Sequence, residues 1–112
     1  MSAEKKISLE ATCPDCGGPL SVIDSGTIVE FECLVGHRYT PSSVLKAHSA
    51  SEEKALWGAI VAVEETKTLV DKAGRFFTPE LVKRLKQQVQ QRKEIGAEIR
   101  KLIERLEPLV LE

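Results

Sequence analysis

This chain of 112 residues has few aromatic side chains, no long apolar runs and an odd number of cysteines. Three Phe, one Tyr and one Trp leave few large side chains from which to build a core. Domains this small often need a metal, a disulfide or a partner subunit to be stable. Because the three cysteines cannot all pair with one another, the sequence does not favour a disulfide framework.

Membrane and export signals are also missing. No stretch approaches the roughly 20 consecutive apolar residues of a membrane-spanning helix. The first ten residues are charged and lack the apolar run of a signal peptide. These observations predict a cytoplasmic protein without membrane contact, in which reduced, closely spaced cysteines favour metal binding.

Charge is nearly balanced overall, with a formal net charge of -1, but it is unevenly distributed. Residues 1–40 carry three basic and six acidic side chains, whereas residues 74–112 carry nine basic and six acidic ones. Phosphate contacts supply much of the affinity of nucleic-acid binders, so an acidic N-terminal region counts against that function. The basic cluster Lys83, Arg84, Lys86, Arg92 and Lys93 keeps nucleic-acid binding as the alternative.

Four residues have the spacing of metal ligands. Cys13 and Cys16 can hold one ion from a tight turn, and Cys33 and His37 supply a second pair. Three thiolates and one imidazole complete a tetrahedron that suits zinc and leaves no open coordination position. The competing histidine is His48, which lies in helical sequence, so whether it contributes to the site is left open.

The residues between the ligand pairs favour β-structure. Segments 20–24 and 27–33 are rich in Val, Ile, Thr and Phe, and Ser25-Gly26 between them predicts a two-residue hairpin turn. Gly17 and Gly36 flank the ligands where the chain needs unusual backbone angles. With a short strand at 7–12, residues 1–40 are predicted to form a zinc-ribbon-like β-hairpin module.

Residues 41–112 are predicted to form an antiparallel, coiled-coil-like helical hairpin, which makes the fold class small α+β. Thr40-Pro41 is typical of a helix start, and a helix is expected near 41–73, either continuous or broken near 48–51. Gly74 is expected to end it as a left-handed cap. Thr78-Pro79 then predicts a restart, with the second helix near 78–107.

The second helix carries apolar residues at heptad spacing, over a length that a module of forty residues cannot cover. We therefore expect it to pair with the preceding helix and to contact another chain, with a homodimer favoured. The predicted contact residues are Trp57, Leu85, Ile95, Ile99, Leu102 and Leu106.

Three runs together resemble a known family: CPDCGGPL at 13–20, FECLVGHRYTPSSVL at 31–45 and EEKALWGAI at 52–60. The order Cys-x2-Cys, Cys-x-Val-Gly-His-x-Tyr and Ala-Leu-Trp resembles a C-terminal extension found on some bacterial chemotaxis-type protein-glutamate methylesterases. The resemblance covers about half the chain, from Thr12 to Glu65.

The resemblance implies the extension without its catalytic domain, because no Gly-x-Ser-x-Gly nucleophile turn is present. Esterase activity is therefore not expected, and no catalytic residue is identified. The expected function is a zinc-stabilised protein-interaction or assembly module in bacterial signalling.

Overall fold

The computed structural model describes residues 4–109. Four β-strands are followed by two long α-helices, which confirms the predicted α+β class. The parts of the two predicted modules at residues 1–3 and 110–112 lie outside the described residues. Among the residues that are described, no helix is long and apolar enough to cross a membrane.

The strands β1 (Lys5–Thr12), β2 (Pro19–Asp24), β3 (Val29–Cys33) and β4 (Arg38–Tyr39) form one antiparallel sheet in sequential order. The edge strand β1 is exposed along its whole length. Its pairing with β2 is interrupted between Ser8 and Ala11, where Glu10 has a φ of 53°. Such a bulge disturbs the free edge of a sheet and so discourages further strands from adding to it.

The turn between β2 and β3 is longer than the predicted two residues. Asp24 pairs with Val29, so residues 25–28 form the connection. Gly26 has the positive φ expected of a turn, 89°. The Asp24 carboxylate accepts from the Gly26 N–H, and the Ser25 N–H donates to the Ile28 carbonyl. These local hydrogen bonds stabilise the longer turn.

Within the described residues, the chain forms two compact units. The first, called here the sheet unit, comprises residues 4–52 and 108–109, and the second, the hairpin unit, comprises Glu53–Glu107. The functional division into domains 1–40 and 41–112 stays a prediction. The main buried cluster of the sheet unit consists of Cys13, Leu20, Cys33 and Val44, with Phe31 and Tyr39 packed against it.

The first helix, α1 (Pro41–Ala73), is a single continuous helix of 33 residues, which answers the question that the sequence left open. Its start is capped as predicted. The Thr40 hydroxyl accepts from the Ser43 N–H at 3.0 Å, and the Thr40 N–H donates to the Ser43 hydroxyl at 2.8 Å. Two backbone donors at this end are therefore satisfied by side chains.

The prediction that Gly74 adopts a left-handed cap is wrong, because Gly74 is not among the glycines with positive φ. Instead, a short 3₁₀-helix (Gly74–Phe76) follows α1, and the Phe77 N–H donates to the Gly74 carbonyl at 3.0 Å. A tighter last turn of this kind satisfies terminal carbonyls without a left-handed residue.

The second helix, α2 (Pro79–Arg105), starts as predicted, with the Thr78 hydroxyl accepting from the Leu81 N–H at 3.2 Å. It ends two residues earlier than expected. Glu107 precedes Pro108, and the residue before a proline is disfavoured in helical conformation.

The helices α1 and α2 pack antiparallel within the hairpin unit. Ile60 and Val70 are buried on α1, and Gly96 is buried on α2. Arg100 pairs with Glu64 and lies over the Trp57 ring, 5.9 Å from its centroid. The inward face of α2 alternates three- and four-residue steps, as in coiled coils. It comprises Val82, Leu85, Val89, Arg92, Gly96, Ile99 and Ile103, and the C-cap residue Leu106 continues the same pattern.

Candidate metal centre

The first ligand pair lies in a tight turn between β1 and β2. The Cys13 N–H donates to the Gly18 carbonyl at 2.7 Å, and the Gly17 N–H donates to the Cys13 carbonyl at 2.8 Å. Gly17 has a φ of 75°, and a Cβ built there would meet nothing within 4 Å. Glycine is therefore required at this position by the backbone angle, as the sequence predicts, and not by a lack of space.

The second ligand pair lies in the turn between β3 and β4. The Gly36 N–H donates to the Cys33 carbonyl, and the Cys33 N–H donates to the His37 carbonyl, both at 3.1 Å. The His37 N–H lies 3.4 Å from the Cys33 sulfur, which accepts from it. Gly36 has a φ of 106°, again as predicted. The second turn thus holds a ligand sulfur within reach of a backbone donor.

The sheet brings these two turns together, so that four potential ligand atoms lie within 4.8 Å of one another, from Cys13, Cys16, Cys33 and His37. The His37 Nδ1 lies 3.3 Å from the Cys33 sulfur and 3.7 Å from the Cys13 sulfur. The sulfurs of Cys16 and Cys33 are 3.7 Å apart. The cluster can bind a metal ion such as zinc.

The three shorter separations, 3.3, 3.7 and 3.7 Å, are close to those around a tetrahedral zinc ion. With Zn–S bonds of ~2.3 Å and a Zn–N bond of ~2.0 Å, tetrahedral ligand atoms lie roughly 3.5 to 3.8 Å apart. No disulfide joins the three cysteines, which are all free thiols. Cys13 and Cys33 are buried and Cys16 is exposed, so the cluster lies at the boundary between core and solvent.

Hydrogen bonding prepares two of the thiols for a cation. Burial acts to raise the pKa of Cys13, but hydrogen bonds from Tyr39 and from the backbone of Cys16 and Asp15 outweigh it and lower the pKa. Burial acts in the same direction on Cys33, where backbone hydrogen bonds, chiefly from His37, lower the pKa overall. Hydrogen bonds to a thiolate favour the charged, metal-binding form.

The pKa of the third thiol, that of Cys16, is shifted in the opposite direction. A hydrogen bond from the Gly18 backbone acts to lower the pKa of Cys16, but burial and its neighbours Cys33 and Cys13 raise it overall. A third negative charge beside two thiolates is unfavourable unless something neutralises it. A divalent cation supplies that neutralisation, and the thiol pKa shifts therefore agree with a metal site.

Tyr39 and Asp15 form a further layer around the sulfurs, which the sequence reasoning missed as functional residues. The Tyr39 hydroxyl lies 3.1 Å from the Cys13 sulfur and hydrogen-bonds to the Asp15 carboxylate, so its single proton is shared between these two acceptors. Burial first, and then the hydrogen bond to Asp15, raise the pKa of Tyr39, so its hydroxyl stays protonated. The available signal was the position of Tyr39 two residues after His37, in the strand that leaves the ligand turn.

His48 lies outside the ligand cluster. Its side chain is 61% exposed, and its Nε2 is 3.9 Å from Glu52 on the next turn of α1. The ring lines an apolar cavity of about 270 Å³ that also includes Leu20, Phe31 and Val44. In this structure the histidine of the cluster is His37.

The residues predicted to contact a partner fall on different parts of the hairpin unit. Leu85 and Ile99 are half-buried on the inward face of α2, and Leu106, the C-cap residue just beyond it, is half-buried as well. Ile95 and Leu102 lie beside this face on the same helix and are exposed. Trp57 on α1 is 45% exposed, with Arg100 over its ring.

Comparisons of the chain with protein-family models, with curated proteins and with solved structures found no match. The class of protein is therefore stated from the fold and the candidate site of the chain itself. It combines a candidate Cys3His metal site on a small antiparallel sheet with a hairpin of two long helices.

Proposed function

We propose that the chain is a zinc-stabilised protein-interaction or assembly module. The observation that carries this proposal is the convergence of three sulfurs and one imidazole nitrogen within 4.8 Å. Two of the four ligands, Cys13 and Cys33, are also two of the four residues in the main buried cluster of the sheet unit. A core this small gives little apolar burial, so zinc binding supplies the missing stability.

The helical hairpin supplies the interaction surface. Long helices with exposed apolar side chains are unfavourable in water unless a partner covers them. Exposed apolar residues are found on both helices: Trp57, Val61 and Leu69 on α1, and Leu81, Ile95 and Leu102 on α2. We assign these side chains to contacts with another protein or with a second copy.

We place this module in bacterial signalling on the basis of its resemblance to the methylesterase extension. The resembling runs include all four candidate ligands as well as Tyr39 and Trp57. A binding role fits better than catalysis, because four protein ligands fill a tetrahedral zinc site and leave no position for water or substrate. The role of zinc is then structural.

A photo-crosslinking amino acid placed on α2 in cells tests the proposed function. At position 102, in the exposed apolar stripe, we expect an adduct with a protein. At position 90, an exposed polar site on the same helix, we expect none. Adducts with nucleic acid at position 102, or a salt-sensitive gel shift with duplex or single strands, would instead support the nucleic-acid-binding alternative. Equal labelling at both positions would contradict a specific surface.

A further inference from the structure

The helix α2 carries a second stripe beside the face that packs on α1. Leu81, Gln88, Ile95 and Leu102 recur every seven residues and lie one position before the inward-facing Val82, Val89, Gly96 and Ile103. The three apolar members of this stripe are 40%, 37% and 47% exposed, respectively. A seven-residue apolar repeat is the pattern by which one helix packs along another.

The stripe lies on the flank of the hairpin that α1 leaves uncovered. Successive helical residues are separated by about 100° around the axis. Ile95 therefore points roughly 100° to one side of Gly96, whereas Arg100 points roughly 40° to the other. Arg100 is the residue that meets Glu64 and Trp57 of α1. The second stripe consequently faces away from this ion pair.

The charges next to the stripe indicate which partner fits. Arg84, Gln91 and Glu98 follow its members by three residues and so border the same face. Arg84 and Glu98 lie seven residues before and seven after Gln91. Within the described chain neither of them forms an ion pair. An antiparallel second copy of α2, related by a twofold axis near Gln91, brings each Arg84 opposite a Glu98.

The apolar residues obey the same symmetry. With the axis between Gln91 and Arg92, a shift of less than about 1 Å along the helix, Leu81 lies opposite Leu102 of the second copy, and Gln88 lies opposite Ile95. Each contact occurs twice, as the self-complementary surface of a twofold dimer requires. A polar residue within an apolar stripe, here Gln88, helps to fix register at some cost in stability.

The size of the surface is that of a weak, concentration-dependent dimer. The stripe extends over about 30 Å of helix, from residue 81 to residue 102 at 1.5 Å per residue. A face of that length on one helix about 10 Å wide offers roughly 300 Å² per copy. The total of roughly 600 Å² lies below the range of standard stable interfaces, so we expect the dimer to form at high protein concentration.

We infer that the protein forms a twofold-symmetric homodimer in which the Leu81–Gln88–Ile95–Leu102 stripes of two α2 helices pack antiparallel, with Arg84 opposite Glu98. This inference rests on the proposed function and specifies its partner. The arrangement is a four-helix bundle built from two hairpin units.

Charge reversal tests the register as well as the dimer. Arg84→Glu or Glu98→Arg alone creates two like-charge contacts per dimer, and we expect each to raise the dimer dissociation constant about tenfold or more. The double variant Arg84→Glu/Glu98→Arg restores opposite charges and should return to within about threefold of the wild type. Sedimentation equilibrium of the zinc-loaded full chain measures all four proteins.

Matched controls separate register from general charge effects. Lys86→Glu and Glu104→Lys make the same kinds of change on exposed positions of the other flank, and we expect them to leave dimerisation unchanged. If a charge variant loses its helical circular dichroism signal, the Gln91→Cys variant tests the register instead. Because Gln91 lies near the twofold axis, the Gln91→Cys variant should form a disulfide between the two copies, whereas Gln90→Cys should not.

A wild-type chain that stays monomeric at the highest attainable concentration would overturn the inferred dimer. So would a double variant that dimerises no better than the single variants. If that monomer holds one zinc and still forms a protein adduct at position 102, only the inferred homodimer fails. If it holds no zinc, the proposed function fails as well.

Discussion

The sheet unit and the hairpin unit bury their side chains by different means. In the sheet unit, the main buried cluster has four residues, and two of these, Cys13 and Cys33, are candidate metal ligands. In the hairpin unit, Ile60 and Val70 are buried through a repeat of apolar residues along two helices. The first unit therefore depends on donor atoms held at set distances, and the second on periodicity. The two units should respond independently to loss of metal and to loss of apolar volume.

The largest effect is expected from Cys33→Ser, which removes a buried ligand. Structural zinc sites contribute on the order of 10 kcal/mol of apparent binding free energy, comparable to the stability of a whole domain. We expect zinc to be lost and the sheet unit to unfold, while helical structure persists in part in the hairpin unit. Zinc analysis together with amide NMR spectra checks this.

Removing zinc from the wild type with a strong chelator is the matched control for this variant. It should abolish the same folded-state resonances as Cys33→Ser does. Zinc loss with unchanged resonances from β2 and β3 would show that the sheet does not need the metal.

The opposite pattern, a loss of helix stability without a loss of zinc, is expected from Ile60→Ala. Ile60 is only 2% exposed, and truncation of a buried Ile costs about 2 to 5 kcal/mol. We expect denaturant-induced unfolding of the helices to shift to lower concentration, while zinc content stays unchanged. Glu65→Ala, at an exposed polar position of the same helix, should change stability by less than about 0.5 kcal/mol. Zinc loss on Ile60→Ala would contradict the independence of the units.

A smaller effect is expected from Tyr39→Phe, which keeps the ring but removes the hydroxyl next to the Cys13 sulfur. Hydrogen-bonding partners of metal ligands typically contribute about tenfold or more to affinity. We expect zinc affinity to fall about tenfold in a chelator competition assay. Arg38→Gln, which removes exposed ion pairs with Glu30 and Glu32, should leave zinc affinity unchanged. Equal affinities for Tyr39→Phe and the wild type would remove Tyr39 from the site.

The smallest effects distinguish the glycines of the two units. Gly58 and Gly96 lie inside helices, where a Cβ meets nothing within 4 Å or only ordinary contacts of 3.5 Å and longer. Alanine at either should stabilise by about 0.5 to 1 kcal/mol. Gly17 and Gly36 have positive φ, so alanine there should destabilise by about 1 to 2 kcal/mol. Urea denaturation compares all four, and the same sign at both kinds of site would contradict the account.

The candidate site was largely predictable because metal ligation leaves short-range marks in a sequence. Ligand spacing and the glycines after Cys16 and before His37 follow from the geometry of a tight turn around one ion. The outer contact of Tyr39 could not be derived in that way. It depends on the pairing of β3 with β4, which places the Tyr39 hydroxyl next to the sulfur of Cys13, 26 residues earlier in the chain.

The helices show where periodicity alone is insufficient. The sequence predicted two helices and their caps at Thr40 and Thr78, because capping is a local property. It combined Leu85 and Ile99 with Ile95 and Leu102 in one stripe, but in the structure Leu85 and Ile99 are half-buried, whereas Ile95 and Leu102 lie beside them and stay exposed. The inward face passes through Gly96, a residue without a side chain, so counting apolar residues could not identify it.

The most direct test of the central claim is native mass spectrometry of the purified protein before and after treatment with a strong chelator. The account predicts one zinc per chain, lost on chelation and absent from Cys33→Ser. A metal-free chain with three freely titratable thiols would contradict it.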